Sequence, residues 1–294
     1  MPGGLVEPAP AKINLALHVT GRRANGYHEL HGLTVFTELA DEVTAEAAPT
    51  DRLSVRGPFA AGLEPGTNNL VLRAVEAFRA EWPGRVGTGV ALTLDKRLPV
   101  ASGIGGGSAD AAAAFRIMSR LSDEPVDPAR LMAVAARLGA DVPMCVLSRA
   151  CEIRGVGDDV RPLPEAPAGH LVLVNPLIAL PTAAVFSRLE GRENPPLPPL
   201  PDRIGRAAAL AEWLADTRND LEPAAMAIAP VIGDLKRAVA GTQGCLLARM
   251  SGSGATVFGL YGAAAEAAQA ARDLGKAFPD FWVKATPLLR HGTG

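Results

Sequence analysis

The sequence predicts an α+β fold in two domains, and three observations lead there. The chain has 294 residues, which at roughly 150 per domain suggests two. Its first half carries a strand that runs through a glycine-rich loop into an Ala-rich helix. Its C-terminal end reads strand, strand, helix, strand. After an earlier strand–helix unit, that order gives an antiparallel sandwich of ferredoxin-like type. A stretch rich in Gly, Pro and Asp over residues 155–169 marks the boundary, so the expected domains are 1–160 and 161–294.

The elements follow from pattern. Ile13, Leu15, Leu17 and Val19 alternate with polar residues, the period of a half-buried strand with Lys12, Asn14 and His18 along its other face. Asn25-Gly26 is a tight turn, and 27–39 is the returning strand. Asn68 or Asn69 caps a helix to about residue 80. Val90, Leu92 and Leu94 mark a strand ending near Lys96. The loop Gly103-Ile104-Gly105-Gly106-Gly107-Ser108 then leads into a helix over 110–121. Asp127-Pro128 opens another helix, which Gly139 ends. Beyond the boundary come a buried strand at 171–174, a proline-rich connector at 195–201 and helices near 204–215 and 231–239. The chain finishes with strand 245–249, a second glycine loop, strand 256–260, helix 263–274 and strand 281–285.

Composition narrows the function classes. Hydrophobic residues make up 48% and charged residues 20%, which excludes a disordered chain. A net charge of −2 argues against a generally basic nucleic-acid binder, and 3 Trp, 2 Tyr and 8 Phe leave few rings for stacking bases. Cys145, Cys151 and Cys245 form no CxxC pair, so neither a disulfide framework nor a zinc ribbon is expected. The most apolar stretch, 171–186, is broken by Asn175, Pro176 and Pro181, which excludes a membrane span there. With no secretory leader pattern at the start, the expected location is a reducing cytoplasm.

Residues 103–108 carry the strongest chemical signal. Glycines bring the backbone close to an anion, and the following helix directs its free N–H groups and positive dipole end toward it. The alternative is a flexible loop with a helix cap at Ser108. No GxxxxGK[ST] is present, and the GxGxxG spacing fails because Ser108 stands where the last glycine belongs. Taken alone, the second loop, Ser251-Gly252-Ser253-Gly254-Ala255, reads as a hairpin connection. Asp141 alone reads as a helix cap, and Lys12 alone as a solvated edge lysine. His28-Glu29-Leu30-His31 is one residue short of HExxH, and on a strand His28 and His31 face opposite sides, so no metal site is expected there.

Together, four segments resemble the GHMP small-molecule kinases: Pro10-Ala11-Lys12-Ile13-Asn14-Leu15 with Gly26-Tyr27-His28-Glu29-Leu30, the loop from Leu98-Pro99 to Ser108, Leu138-Gly139-Ala140-Asp141-Val142-Pro143, and Ser251-Gly252-Ser253-Gly254-Ala255-Thr256. They occur in the family's order from about residue 10 to 260. The first segment resembles the branch whose acceptor is a cytidyl-bearing methylerythritol in isoprenoid biosynthesis.

The resemblance implies an N-terminal α/β domain, a ferredoxin-like C-terminal domain and an active site in the cleft. It also implies ATP as donor, Mg²⁺ with unassigned ligands, and transfer to the acceptor's 2-hydroxyl. By motif, ATP would lie against Lys96, Pro99, Val100, Ala101, Ser102, Gly103, Ile104, Gly105, Gly106, Gly107, Ser108 and Ala109. Asp141 would accept the hydroxyl proton and Lys12 would be its charge partner. Asn14, Tyr27, His28 and Thr182 would bind the acceptor, with Phe186 joining Tyr27 around the cytosine. The chain departs from the pattern with Ile104 in place of Leu and Ala109-Asp110 in place of Ser-Asn. Asp110 is expected to point away from the nucleotide, because a carboxylate facing it would repel phosphate. A GHMP kinase for mevalonate or homoserine, and a nucleotide-binding regulator without turnover, stay open, as does the choice between monomer and homodimer.

Overall fold

The computed structural model describes residues 4–64, 66, 68–191, 193–201 and 204–290. In chain order the elements are β1 (Leu5–Arg22), β2 (His28–Ala48), β3 (Arg52–Arg56), α1 (Leu70–Glu81), β4 (Gly89–Asp95), α2 (Gly106–Leu121), α3 (Pro128–Leu138), α4 (Val142–Leu147), β5 (Cys151–Gly155) and β6 (Asp159–Pro162). They continue with β7 (His170–Asn175), α5 (Thr182–Ser187), α6 (Ala207–Ala215), α7 (Glu222–Ile228), α8 (Val231–Ala240), β8 (Cys245–Met250), β9 (Val257–Tyr261), α9 (Ala264–Ala277) and β10 (Trp282–Pro287). Two compact units form, each discontinuous in sequence. Unit 1 takes the described residues of 1–11, 40–100 and 105–148, and unit 2 those of 12–39, 101–104 and 149–294.

In unit 1, β4 pairs in parallel with β3 and antiparallel with the later half of β2, from Glu42↔Asp95 to Ala48↔Gly89. Its alternation is the expected one, with Val90, Leu92 and Leu94 buried. Helix α1 starts where Asn69 Oδ1 accepts the Val71 N–H at 3.0 Å. Asp127 caps α3 in the same way through the Ala129 N–H at 3.1 Å, with Pro128 in the first turn. Ala109, Ala111, Ala112, Ala113, Ala114 and Phe115 are all buried in α2, so this helix is apolar almost all round and packs against α1. It begins at Gly106, earlier than the periodicity suggested, because Gly105 takes φ +67° as the N-cap residue with no side-chain cap. The alternative of a cap at Ser108 does not hold, because Ser108 lies inside the first turn.

Unit 2 contains an antiparallel four-stranded sheet in the order β10-β7-β9-β8. With β7 counted first this is the ferredoxin-like order 4-1-3-2, as the strand–strand–helix–strand run predicts. Helix α8 packs on β8 and β9, and α9 on β7 and β10. The composition break at 155–169 spans the turn and second strand of the β5–β6 hairpin and the lead into β7. The earlier half of β2 pairs with β5, from Leu30↔Gly155 to Thr34↔Cys151. At Asn25-Gly26 the chain turns as expected, with the Arg23 N–H donating to Tyr27 O at 2.7 Å and Gly26 at φ +90°.

One expectation for β1 fails. Residues 9–19 are all buried, so the strand is covered on both faces and has no solvated polar stripe. The polar side chains are tolerated because segments distant in sequence satisfy them. Asn14 Nδ2 donates to Thr34 Oγ1 at 3.0 Å. His18 Nδ1 lies 2.9 Å from Pro195 O, and Nε2 accepts the Arg218 N–H at 3.0 Å. Lys12 is likewise buried, so the solvated-lysine alternative does not hold.

Among the described residues, no helix is long and apolar enough to cross a membrane. Burial raises the Cys245 thiol above its usual range, which suits no nucleophile.

Candidate active site

Unit 2 gathers three of the sequence motifs. The Lys12 N–H donates to Ile104 O at 2.9 Å, which ties β1 to the first glycine loop. Ser251 Oγ accepts the Asn14 N–H at 3.1 Å and donates to Gly103 O at 3.0 Å, so one buried hydroxyl joins β1 and both loops. Thr256 Oγ1 donates to Ser102 O at 2.6 Å and accepts from Asn175 Nδ2 at 2.8 Å. The loops then fit without room for side chains. A Cβ on Gly103, whose φ is +75°, would lie 2.5 Å from Gly254 O, and one on Gly252, at φ +55°, would lie 3.0 Å from Gly103 O. The second loop is thus more than a hairpin connection, because it buttresses the first.

Further residues that sequence reasoning missed hold this arrangement. Asn219 Nδ2 donates to Met250 O at 2.9 Å and Gly252 O at 2.8 Å, while its Oδ1 accepts the Leu221 N–H. Asp220 Oδ2 accepts the Val19 N–H at 2.7 Å, and Glu222 Oε2 accepts the Met250 N–H at 2.9 Å. The run Arg218-Asn219-Asp220-Leu221-Glu222 therefore staples β1 to the start of the second loop. Its only local signal was a cluster of polar residues ahead of a proline. Arg249 donates to Leu15 O, Leu214 O and Thr217 O, and burial lowers its pKa to about 10.

The residues expected around the acceptor are also in unit 2. Tyr27 precedes β2 and is 65% exposed, so its ring is open to a ligand. Phe186 stacks on His28, with centroids 5.0 Å apart and an interplanar angle of 26°. Thr182 begins α5, and its Oγ1 lies 2.8 Å from Ser253 Oγ. Asn14 is buried behind the second glycine loop, with its Oδ1 3.3 Å from where a Gly252 Cβ would be. A separate cavity of about 680 Å³ is lined by His31, Glu152, Asn194 and residues 196–200, among others, and by none of the residues expected at the site.

In unit 1, residues 105–108 form the N-terminal turn of α2. Gly107 is exposed, and Gly105, Gly106 and Ser108 are half-buried. Such a turn leaves its first backbone N–H groups outside the helix's own ladder. Of the other residues expected to meet ATP, Val100 and Ala101 are exposed, while Lys96, Pro99, Ser102, Ile104 and Ala109 are buried and Gly103 is half-buried. Lys96 lies between Asp41 Oδ2 at 2.5 Å and Asp110 Oδ2 at 2.7 Å, so Asp110 is turned into the interior. Asp141 stands half-buried at the head of α4, and its side chain does not cap that helix. The cap reading is thereby corrected: the six-residue helix starts on a proline turn instead.

Comparison with known proteins follows the same lines. The model of the GHMP kinases N terminal domain matches residues 69–149, and that of the GHMP kinases C terminal region matches 201–280. The 4-diphosphocytidyl-2-C-methyl-D-erythritol kinase of Parvibaculum lavamentivorans is 50% identical over 97% of this chain and 98% of its own length. The protein of the same name from Chelativorans sp. (strain BNC1) is 48% identical over 95% and 94%. A crystal structure of 4-(cytidine 5'-diphospho)-2C-methyl-D-erythritol kinase superposes with a TM-score of 0.80 at 34% identity, covering 98% of this chain and 100% of that one. The chain therefore belongs to the 4-diphosphocytidyl-2-C-methyl-D-erythritol kinase family, small-molecule kinases with the GHMP kinase fold.

Proposed function

We propose that the chain transfers the γ-phosphoryl group of ATP to the 2-hydroxyl of 4-diphosphocytidyl-2-C-methyl-D-erythritol, on the non-mevalonate route to isoprenoid precursors. Beyond family membership, one observation carries the nucleotide half of this reading. Gly107 has no positive φ, and a Cβ there would meet only Leu70 Cδ1 at 3.5 Å, ordinary contact. The fold gives no reason for glycine at this exposed helical position, where it costs about 0.5–1 kcal/mol relative to alanine. Close approach of a ligand to the backbone is such a reason. The triphosphate would rest on the N–H groups of residues 105–108, at the positive end of α2.

Buried Lys96, Ile104 and Ala109 would then act through the loop they support, leaving Val100 and Ala101 as exposed neighbours of the nucleotide. Among the described residues no group of three or more His, Cys, Asp or Glu side chains suits a metal. Mg²⁺, an ion usually held by one or two carboxylates together with substrate phosphates, would screen phosphate charge on the nucleotide.

Asp141 would accept the hydroxyl proton, and Lys12 would orient it and balance charge on the transferring group. Phosphoryl transfer asks mainly for such positioning and charge stabilisation. Tyr27 and the His28–Phe186 stack offer flat faces to a cytosine, and the Thr182–Ser253 hydroxyl pair offers donors to the acceptor. Asn14 would serve through the second loop it backs. Residues 1–160 would supply the nucleotide and proton-transfer groups together with Asn14, Tyr27 and His28 for the acceptor, and residues 161–294 would add Thr182, Phe186 and Ser253.

The test is ADP release with ATP, Mg²⁺ and each of three acceptors: the cytidyl compound, mevalonate and homoserine. Turnover with the cytidyl compound alone supports the reading. Turnover with either of the others reassigns the acceptor, and ATP binding without turnover leaves only the fold.

A further inference from the structure

Beneath the first turn of α2 lies a buried ionic cluster whose two carboxylates the mechanism above does not use. Lys96 Nζ contacts Asp41 Oδ2 and Asp110 Oδ2 at 2.5 and 2.7 Å. A Cβ built on Gly106 would lie 3.0 Å from that same Nζ and 3.7 Å from Asp41 Oδ2, so the cluster abuts the glycine turn from inside. Asp41 is fully engaged, because its Oδ1 also accepts the Arg97 and Leu98 N–H groups at 2.5 and 2.7 Å. Asp110 is not: its Oδ1 is buried without a hydrogen-bond partner. One ammonium facing two carboxylates leaves one negative charge over when both are ionised. A buried charge is screened far less than one in water, so within a helical turn of a polyphosphate it opposes binding. A proton on Asp110 removes it.

We propose that Asp110 is a charge-balancing positioning residue for the nucleotide, taking up a proton from solvent as phosphate settles on residues 105–108. The inference rests on the nucleotide reading above. The ionisable groups facing Asp110 are Lys96, just after β4, and Asp41, in β2. Burial raises the Asp110 carboxyl to about 7, the Lys96 charge opposing the rise and the Asp41 charge adding to it. Burial works against the Lys96 charge too, but the Asp110 and Asp41 carboxylates outweigh it and hold the ammonium protonated. The sign follows: bound phosphate raises Asp110 further, so protons are taken up near and above pH 7 and nucleotide affinity falls as pH rises through that range.

The experiment is calorimetric titration of MgATP into the full chain near pH 7.5 in two buffers of different ionisation enthalpy, for wild type and Asp110→Asn. If binding moves the carboxyl by about one pH unit, wild type takes up about half a proton more per nucleotide than the variant. Its Kd also rises roughly fivefold between pH 7 and 9, while the variant's stays level. A purely structural role would lower stability and shift affinity equally at every pH. Equal proton uptake with parallel pH curves overturns the inference. Should the variant not fold, a wild-type Kd that is flat from pH 7 to 9 overturns it as well. Absence of nucleotide binding by wild type overturns the phosphate reading together with this one.

Discussion

Replacing Gly107 with alanine separates what the fold needs from what a phosphate needs. The methyl group enters an exposed position in the first turn of α2, with Leu70 Cδ1 at 3.5 Å as its nearest neighbour. Alanine loses less backbone freedom on folding than glycine, so stability is unchanged or rises by about 0.5–1 kcal/mol. The same methyl stands between the backbone and an approaching phosphate. If it removes one charge-assisted hydrogen bond, worth about 1.5–3 kcal/mol, ATP binding weakens by roughly 10- to 10²-fold. Gly103→Ala supplies the contrast. There φ is +75° and the new Cβ would lie 2.5 Å from Gly254 O and 2.7 Å from Ser251 O. A left-handed conformation costs about 1–2 kcal/mol and overpacking about 1–3, so this variant loses about 2–5 kcal/mol of stability. Urea unfolding and ATP calorimetry on both variants read the two effects separately. A Gly107→Ala protein that binds ATP as well as wild type refutes the phosphate cradle. One that is as destabilised as Gly103→Ala refutes the claim that the fold leaves this position free.

Asp141→Asn keeps the side chain's shape and is expected to leave folding and ATP affinity nearly intact while turnover falls about 10²-fold or more; near-normal turnover removes Asp141 from the reaction. Tyr27→Ala, at an exposed ring, is expected to raise the acceptor KM with little change in kcat or melting temperature, and a fall confined to kcat contradicts a binding role. Asn69→Ala removes the α1 cap and costs about 1 kcal/mol in urea unfolding, whereas no loss means water replaces the cap. His18 gives a pH dependence. Burial is the main cause that holds its folded pKa below the unfolded 6.5, and both ring nitrogens are committed. The unfolded chain then binds more protons than the fold between those two values. His18's share of stability is therefore full above pH 6.5 and lost as pH falls through the window. Urea unfolding at pH 7.5 and 5 shows a smaller acid loss in His18→Gln, and an identical loss sinks the assignment.

Much of the fold was legible because its signals are local. Asn69, Asp127-Pro128 and the Ala-rich run of α2 announce helices by capping and propensity, and Val90, Leu92 and Leu94 announce a strand by alternation. The failures have physical causes too. Lys12, Asn14 and His18 read as a solvated stripe, yet their face is covered, because Ser251 and Arg218 reach β1 across 237 and 200 residues of sequence. No periodicity encodes such pairs. Short helices α5 and α7 span six and seven residues, too little for a 3.6-residue period to show. At the site, both glycine motifs were visible as motifs. What the sequence concealed was their direct fit, Gly103 against Gly254, and the Asn219 amide that holds the second loop. It concealed as well the stacking of Phe186 on His28, the first residue of β2, while Tyr27 stays outside the strand.

The central claim concerns which oxygen receives the phosphoryl group, and ³¹P NMR of a complete reaction with ATP, Mg²⁺ and 4-diphosphocytidyl-2-C-methyl-D-erythritol tests it most directly. The expected spectrum shows ADP and one new phosphomonoester without three-bond coupling to a proton, because carbon 2 carries a methyl group and no hydrogen, with the cytidyl diphosphate intact. Orthophosphate alone, or a phosphate on any other hydroxyl, contradicts the assignment.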